Sequence, residues 1–200
     1  FIEASRFVLI TLITGMGIGL SVSLVASVFV TGLHFFTEHR HAMEGYLPSL
    51  TIAGGSLVPM VWLIGAAFLL WGVRRLFSIG RWHGPADSIF GAHRLDNEID
   101  VKAGVASTIA AFISLGGGAS VGQYGPLVHF GATVGTYIRQ FFKNITIGTD
   151  VFIGCGVAAA IAAGFHAPIA GIVFAHEAVL RHFSFRALTP IAISSITSVW

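Results

Sequence analysis

Charge is what this sequence has least of. Asp, Glu, Lys and Arg make up 10% of its 200 residues, against about 25% in a soluble domain. So few charges cannot clothe a water-facing surface. No basic tail or acidic run is present and the formal net charge is +2, which argues against nucleic acid as a partner. Cysteine is almost absent. The single Cys155 can form no internal disulfide, makes no metal site alone, and reads as a small apolar side chain inside an apolar run. What the chain does have is hydrophobic residues, 54% of the total, and a mean hydropathy of +0.83. The expectation is an all-α, polytopic integral membrane protein. The first apolar run is longer than a signal-peptide core and no cleavage site follows it. The chain begins at Phe1 and ends at Trp200 in an apolar stretch, so a piece of a longer protein is expected.

The few charges mark the segment boundaries. Phe7 to Leu33 carries none and is long enough to span, a bilayer crossing taking roughly 20 residues. A polar loop is expected next, with His34, Glu38, His39, Arg40, His41 and Glu44. Gly45 to Val73 is the second uncharged run, closed by Arg74, Arg75 and Arg81. Arginines gather in short cytoplasmic loops, which puts Arg74–Arg81 and the N-terminus inside.

The rest is broken. Gly84-Pro85 opens a piece, Ala86 to Ala92, too short to cross a membrane. Ala103 to Ile138 is uncharged but too long for one ordinary span. Its middle, Gly116-Gly117-Gly118-Ala119-Ser120-Val121-Gly122-Gln123-Tyr124-Gly125-Pro126, reads as a non-helical loop between helices at 103–117 and 126–141. Irregular backbone at membrane depth is tolerated only where protein buries it or a polar cavity receives it. Val151 to Gly164 is a further helix, broken at Phe165-His166-Ala167-Pro168, and Ile169 to Glu177 is again short. Arg181 to Arg186 is a polar link before a last helix from Ala187. Full spans thus alternate with Gly/Pro-interrupted half-helices, the pattern with which transporters build binding sites. The first amides of a helix lack internal partners and carry partial positive charge. Several such ends aimed at one buried point hold an anion without a cationic side chain.

The stretch Gly116–Gly135, with Gly122-Gln123-Tyr124-Gly125-Pro126 at its centre, resembles the G-(K/R)-E-G-P motif of the CLC family of chloride channels and chloride/proton antiporters. Gly164-Phe165-His166-Ala167-Pro168-Ile169-Ala170-Gly171, running on to Glu177, resembles that family's A-F-N-A-P-L-A-G segment. The resemblance covers essentially the whole chain but only the first of the family's two inverted halves. It implies residues 1–200 as the N-terminal half of a transport domain, a chloride or similar small anion as the moving ligand, no cofactor, no enzyme activity, a homodimer in the lipid bilayer and the inner membrane of a prokaryote. Carried over by motif, the anion site and pore comprise Gly122, Gln123, Tyr124, Gly125 and Pro126, with Gly84, Pro85 and Ser88 standing where the family has G-S-G-I-P.

The departures are specific. Tyr124 occupies the place of the family's Glu, which closes the outer anion site and carries protons. A phenol ordinarily titrates near about pH 10 and is no substitute for a carboxylate. Tyr124 is therefore the gating position, as an occluding plug or as a packed core aromatic. Ala178 falls where antiporters place their inner proton-transfer acid, leaving Glu177 as the inner-side acid, alternatively an ion-pair partner of Arg181 one turn on. Asp87 close to an anion site is explained if it caps the short helix. The resemblance implies a channel or uncoupled transporter; an antiporter with a relocated acid and an intramembrane serine protease remain as alternatives. The latter rests on Gly118-Ala119-Ser120-Val121-Gly122, which fits G-x-S-x-G. His176-Glu177 is no zinc motif, since Leu180 stands where the second histidine is needed.

Overall fold

The computed structural model describes residues 2–46, 51–52, 55–94, 99–142, 145 and 147–199. Helix α1, Ile2–Tyr46, is one unbroken helix of 45 residues. It runs straight through the segment expected to be a polar loop. Between Gly32 and Gly45 there is neither glycine nor proline, and the polar side chains bond within the helix, Thr37 Oγ1 to the Leu33 carbonyl at 2.9 Å and His39 Nδ1 with the Phe35 carbonyl at 3.1 Å. The polar residues therefore mark where the helix leaves the hydrocarbon, not where it stops. At 1.5 Å per residue α1 is about 68 Å long, far beyond a bilayer core of about 30 Å.

The second uncharged run is also rearranged. Its first part includes a small antiparallel ribbon, β1 Thr51–Ile52 with β2 Gly55–Ser56. Helix α2 is Val58–Phe77, with a proline in its first turn. It carries Arg74 and Arg75 in its last turn and ends where left-handed Ser78 (φ 53°) donates its N–H back to their carbonyls. Val8–Tyr46 and Val58–Phe77 are long and apolar enough to cross a membrane. Both present large apolar side chains outward, among them Leu20, Leu24 and Val28 on α1 and Phe68, Leu69 and Trp71 on α2. Such surface suits lipid, not water.

Six further elements follow the expected pattern of broken helices. Helix α3 is Pro85–His93. Helix α4, Val101–Gly116, starts at Asp100, whose carboxylate accepts the Ala103 N–H at 3.1 Å. Helix α5 is Tyr124–Phe141 and α6 is Thr149–Phe165. Helix α7, Pro168–Phe174, continues as a π-helical turn, Ala175–Leu180, and α8 is Phe185–Thr197.

The core is the middle of α6, where every residue from Phe152 to Ala160 is buried, including free Cys155. Helices α5, α8 and α1 surround it. Helix α5 comes so close that a Cβ added at Gly131 would strike the Gly156 carbonyl, and one at Gly156 the Gly131 carbonyl. Small residues at such crossings replace the hydrophobic drive that a bilayer cannot supply. Helix α8 is tied in by hydroxyls: Ser194 Oγ donates to the Cys155 carbonyl at 3.0 Å and Ser195 Oγ to the Pro168 carbonyl at 2.8 Å. The second bond fixes the start of α7.

Candidate functional site

Helix α4 ends in glycines. Gly117 caps it, Gly118 takes φ +99°, and Ala119 donates its N–H to the Ser114 carbonyl at 3.0 Å. The loop then leads to α5, which opens at Tyr124, two residues earlier than the proline alone indicates. Gln123 is its N-cap and makes no side-chain capping bond. Pro126 has no N–H to offer, and among the described residues no backbone hydrogen bond reaches the amides of Gln123, Tyr124 or Gly125. These donors are the orphan amides of a helix start.

The start of α3 and the end of α6 lie against this helix start. A Cβ on Gly125 would lie 3.4 Å from Cγ of Pro85, so the first turns of α3 and α5 are in van der Waals contact. On the other side the Tyr124 ring stacks on Phe165, the last residue of α6, with centroids 4.1 Å apart and planes 28° apart. Gly164 lies beneath it: a Cβ there would meet Cδ1 of Tyr124 at 2.9 Å. After Phe165 the chain turns through left-handed His166 (φ 51°) and enters α7 at Pro168. The expected residues Gly84, Pro85, Gln123, Tyr124, Gly125 and Pro126 are thus gathered at one place, with Gly122 just before it and open space where its Cβ would be.

Asp87 acts as a cap. Its Oδ2 accepts the Gly84 N–H at 2.8 Å and its Oδ1 accepts from Arg81. Burial alone would raise this carboxyl's pKa. The hydrogen bonds from Arg81 and the Gly84 amide, with the charges of Arg81 and His83, outweigh it and hold the group below its ordinary 3.8.

Ser88 is fully buried and its Oγ is 2.7 Å from Nδ1 of His129 on α5. His129 had no assigned place in the site from the sequence. The available signal was a polar residue on an apolar face of α5 paired with another on α3, two helices whose starts converge. Glu177 lies exposed on the π-helical turn. Arg181 ends that turn in a left-handed conformation (φ 55°), and among the described residues no ion pair joins the two. Ser120 is exposed in the loop after a helix, not on a strand-to-helix turn, so the nucleophile-elbow context is missing.

Residues 65–200 match the family described as voltage gated chloride channel. The chain is 24% identical over 164 residues to the voltage-gated ClC-type chloride channel ClcB of Yersinia pseudotuberculosis, covering 82% of this chain and 39% of that one. To the ClcB protein of Citrobacter koseri it is 27% identical over 145 residues, 72% of this chain and 34% of that one. Among solved structures, a slow cyanobacterial Cl-/H+ antiporter superposes with a TM-score of 0.73 at 20% identity, over 94% of this chain and 45% of the other. The helical architecture is therefore that of the antiporter, and the chain spans about two fifths of the length of the relatives it matches.

Proposed function

The chain belongs to the voltage-gated chloride channel family, and on that premise we propose that residues 1–200 are the N-terminal half of a membrane domain that moves chloride or a similar small monovalent anion. The observation that carries the reading is the meeting of the α3 and α5 starts at Pro85 and Gly125, beside the Tyr124 ring stacked on the end of α6. Each helix start contributes a partial positive charge of up to about half an elementary charge. In a site shielded from water such dipoles act more strongly than they would in bulk solvent. The free amides of Gln123, Tyr124 and Gly125 are the backbone donors, and Gly122, Gly84 and Pro85 complete the lining. Tyr124 is the gate. Glu177, on its separate turn, stands as the inner-side acid.

With a tyrosine at the gate and alanine at position 178, the protein works as a channel or uncoupled transporter. It sits as a multi-pass homodimer in a prokaryotic inner membrane, and a second, inverted half completes the pore. The test is anion flux from liposomes carrying the full-length protein. Chloride efflux that stops when chloride is replaced by gluconate is expected. Cation selectivity, or no flux above protein-free liposomes, refutes the reading.

A further inference from the structure

His129 is 1% exposed, and only one of its ring nitrogens is accounted for. Nδ1 faces Ser88 Oγ at 2.7 Å. Nε2 is buried with no hydrogen-bond partner. Buried polar atoms are almost always paired, and an orphan in a native fold calls for an explanation, a bound ion among them.

The ring's surroundings say where that partner sits. Ser88 lies on one side of the α3 start and His83 on the other, with the His83 and His129 rings 5.9 Å apart at a steep angle. Between those two residues in the chain come Gly84 and Pro85, and Pro85 touches Gly125. The His129 ring therefore lies beside the opening of α3, between Ser88 and His83. Beyond His83 lies a polar recess of about 200 Å³ bordered by Arg81, Asp100 and Lys102. Asp87 engages Arg81 there, and Asp100 and Lys102 border the same recess.

Helix α3 brings few donors of its own. The Gly84 amide is taken by Asp87, Pro85 has none, and the Asp87 amide bonds to the Gly84 carbonyl at 3.0 Å. Ser88 is committed as well. When its hydroxyl donates to Nδ1, it has no proton left for an anion, and a neutral imidazole then carries its own proton on Nε2. That leaves a buried N–H donor whose natural complement is an acceptor-only anion.

We propose that Nε2–H of His129, and not the hydroxyl of Ser88, is the side-chain donor to the anion at the start of α3, with Ser88 as the positioning residue that fixes the tautomer. The proposal rests on the anion-transport reading above and deepens it. The experiment is calorimetric titration of the full-length protein in detergent with sodium chloride, for the wild type and for His129→Leu, His129→Gln and Ser88→Ala. Loss of a hydrogen bond to a charged partner weakens binding by about tenfold or more, and that is expected for His129→Leu. His129→Gln keeps an N–H donor and is expected to retain most of the affinity. Ser88→Ala is expected to lose much less than His129→Leu. Wild-type binding of His129→Leu, or an equal loss in Ser88→Ala, overturns the proposal. Should His129→Leu fail to fold, nitrogen-15 spectra of the histidine-labelled wild type decide. Chloride is expected to shift one protonated Nε2 signal that is missing from His129→Gln, and a spectrum indifferent to chloride overturns the assignment. A wild type that binds no chloride fails one step earlier and takes the anion reading with it.

Discussion

The ring of Tyr124 lies nearly flat on that of Phe165, 4.1 Å between centroids. The contact joins the first residue of α5 to the last residue of α6. It holds the phenol beside the place where the starts of α3 and α5 approach, and it uses the absence of a side chain at Gly164 to do so. In the anion site proposed above, this ring stands as the gate over the amides of α5.

Tyr124→Ala is accordingly expected to raise chloride flux in liposomes. It also removes an aromatic pair worth about 0.5–1.5 kcal/mol, so a slightly lower thermal midpoint in detergent goes with it. Flux equal to wild type would make the ring a packing element and not a gate. Phe165→Ala is expected to give a smaller rise, because the tyrosine stays but loses its support.

The α5–α6 crossing predicts a different outcome at Gly156. A methyl group there meets the Gly131 carbonyl, which is backbone and cannot rotate away. Gly156→Ala is expected to destabilise the protein by about 1–3 kcal/mol, as overpacked cores do. Gly122→Ala, with open space around it, serves as the comparison and is expected to cost far less. Thermal unfolding of the two variants in detergent checks the ranking; equal midpoints would contradict the close approach.

Much of this arrangement was legible in the residues. Gly84-Pro85, Gly125-Pro126 and Ala167-Pro168 each announced a helix start; α3 and α7 open at their prolines, and α5 two residues before its own. Glycine and proline act locally, through φ and the missing N–H, so their effect survives in a single sequence. The polar stretch from His34 to Glu44 misled for the opposite reason. It reports the dielectric around the chain, whereas helix continuity depends on backbone propensity, and no residue between Gly32 and Gly45 breaks it. The pairing of Ser88 with His129 was not legible, because 41 residues separate them and only the contact of α3 with α5 brings them together.

Asp87 offers a pH test, since it lies outside both candidate spans. Its folded pKa is held below the ordinary 3.8. The carboxylate therefore contributes stability that is fully present above the unfolded value and is lost as pH falls through the lower folded value. Replacing a cap of this kind costs about 1 kcal/mol. Asp87→Asn is expected to unfold at lower temperature than wild type at pH 7, with the gap closing as pH drops below the ordinary carboxylate range. A gap that persists undiminished in acid would mean the charge is not what Asp87 contributes.

Proton coupling is where position 124 has its largest consequence. Coupling requires a group that alternately occupies the anion site and carries a proton, together with a second acid leading to the inner face. Tyr124 stands in the first position, and a phenol is not a carboxylate. Ala178 stands in the second position, and Glu177 beside it is exposed on a π-helical turn with no ion pair among the described residues. Neither position 124 nor position 178 carries a carboxylate. With the chloride gradient fixed, the reversal potential of the full-length protein is expected to stay constant as a proton gradient is imposed. A shift of the size that a fixed chloride-to-proton ratio demands would show stoichiometric exchange and defeat the argument from Tyr124. Tyr124→Glu restores a carboxylate at the gate and is expected to make flux depend on pH, while the missing acid at 178 keeps transport uncoupled. Only the double change, Tyr124→Glu with Ala178→Glu, is then expected to move the reversal potential with the proton gradient.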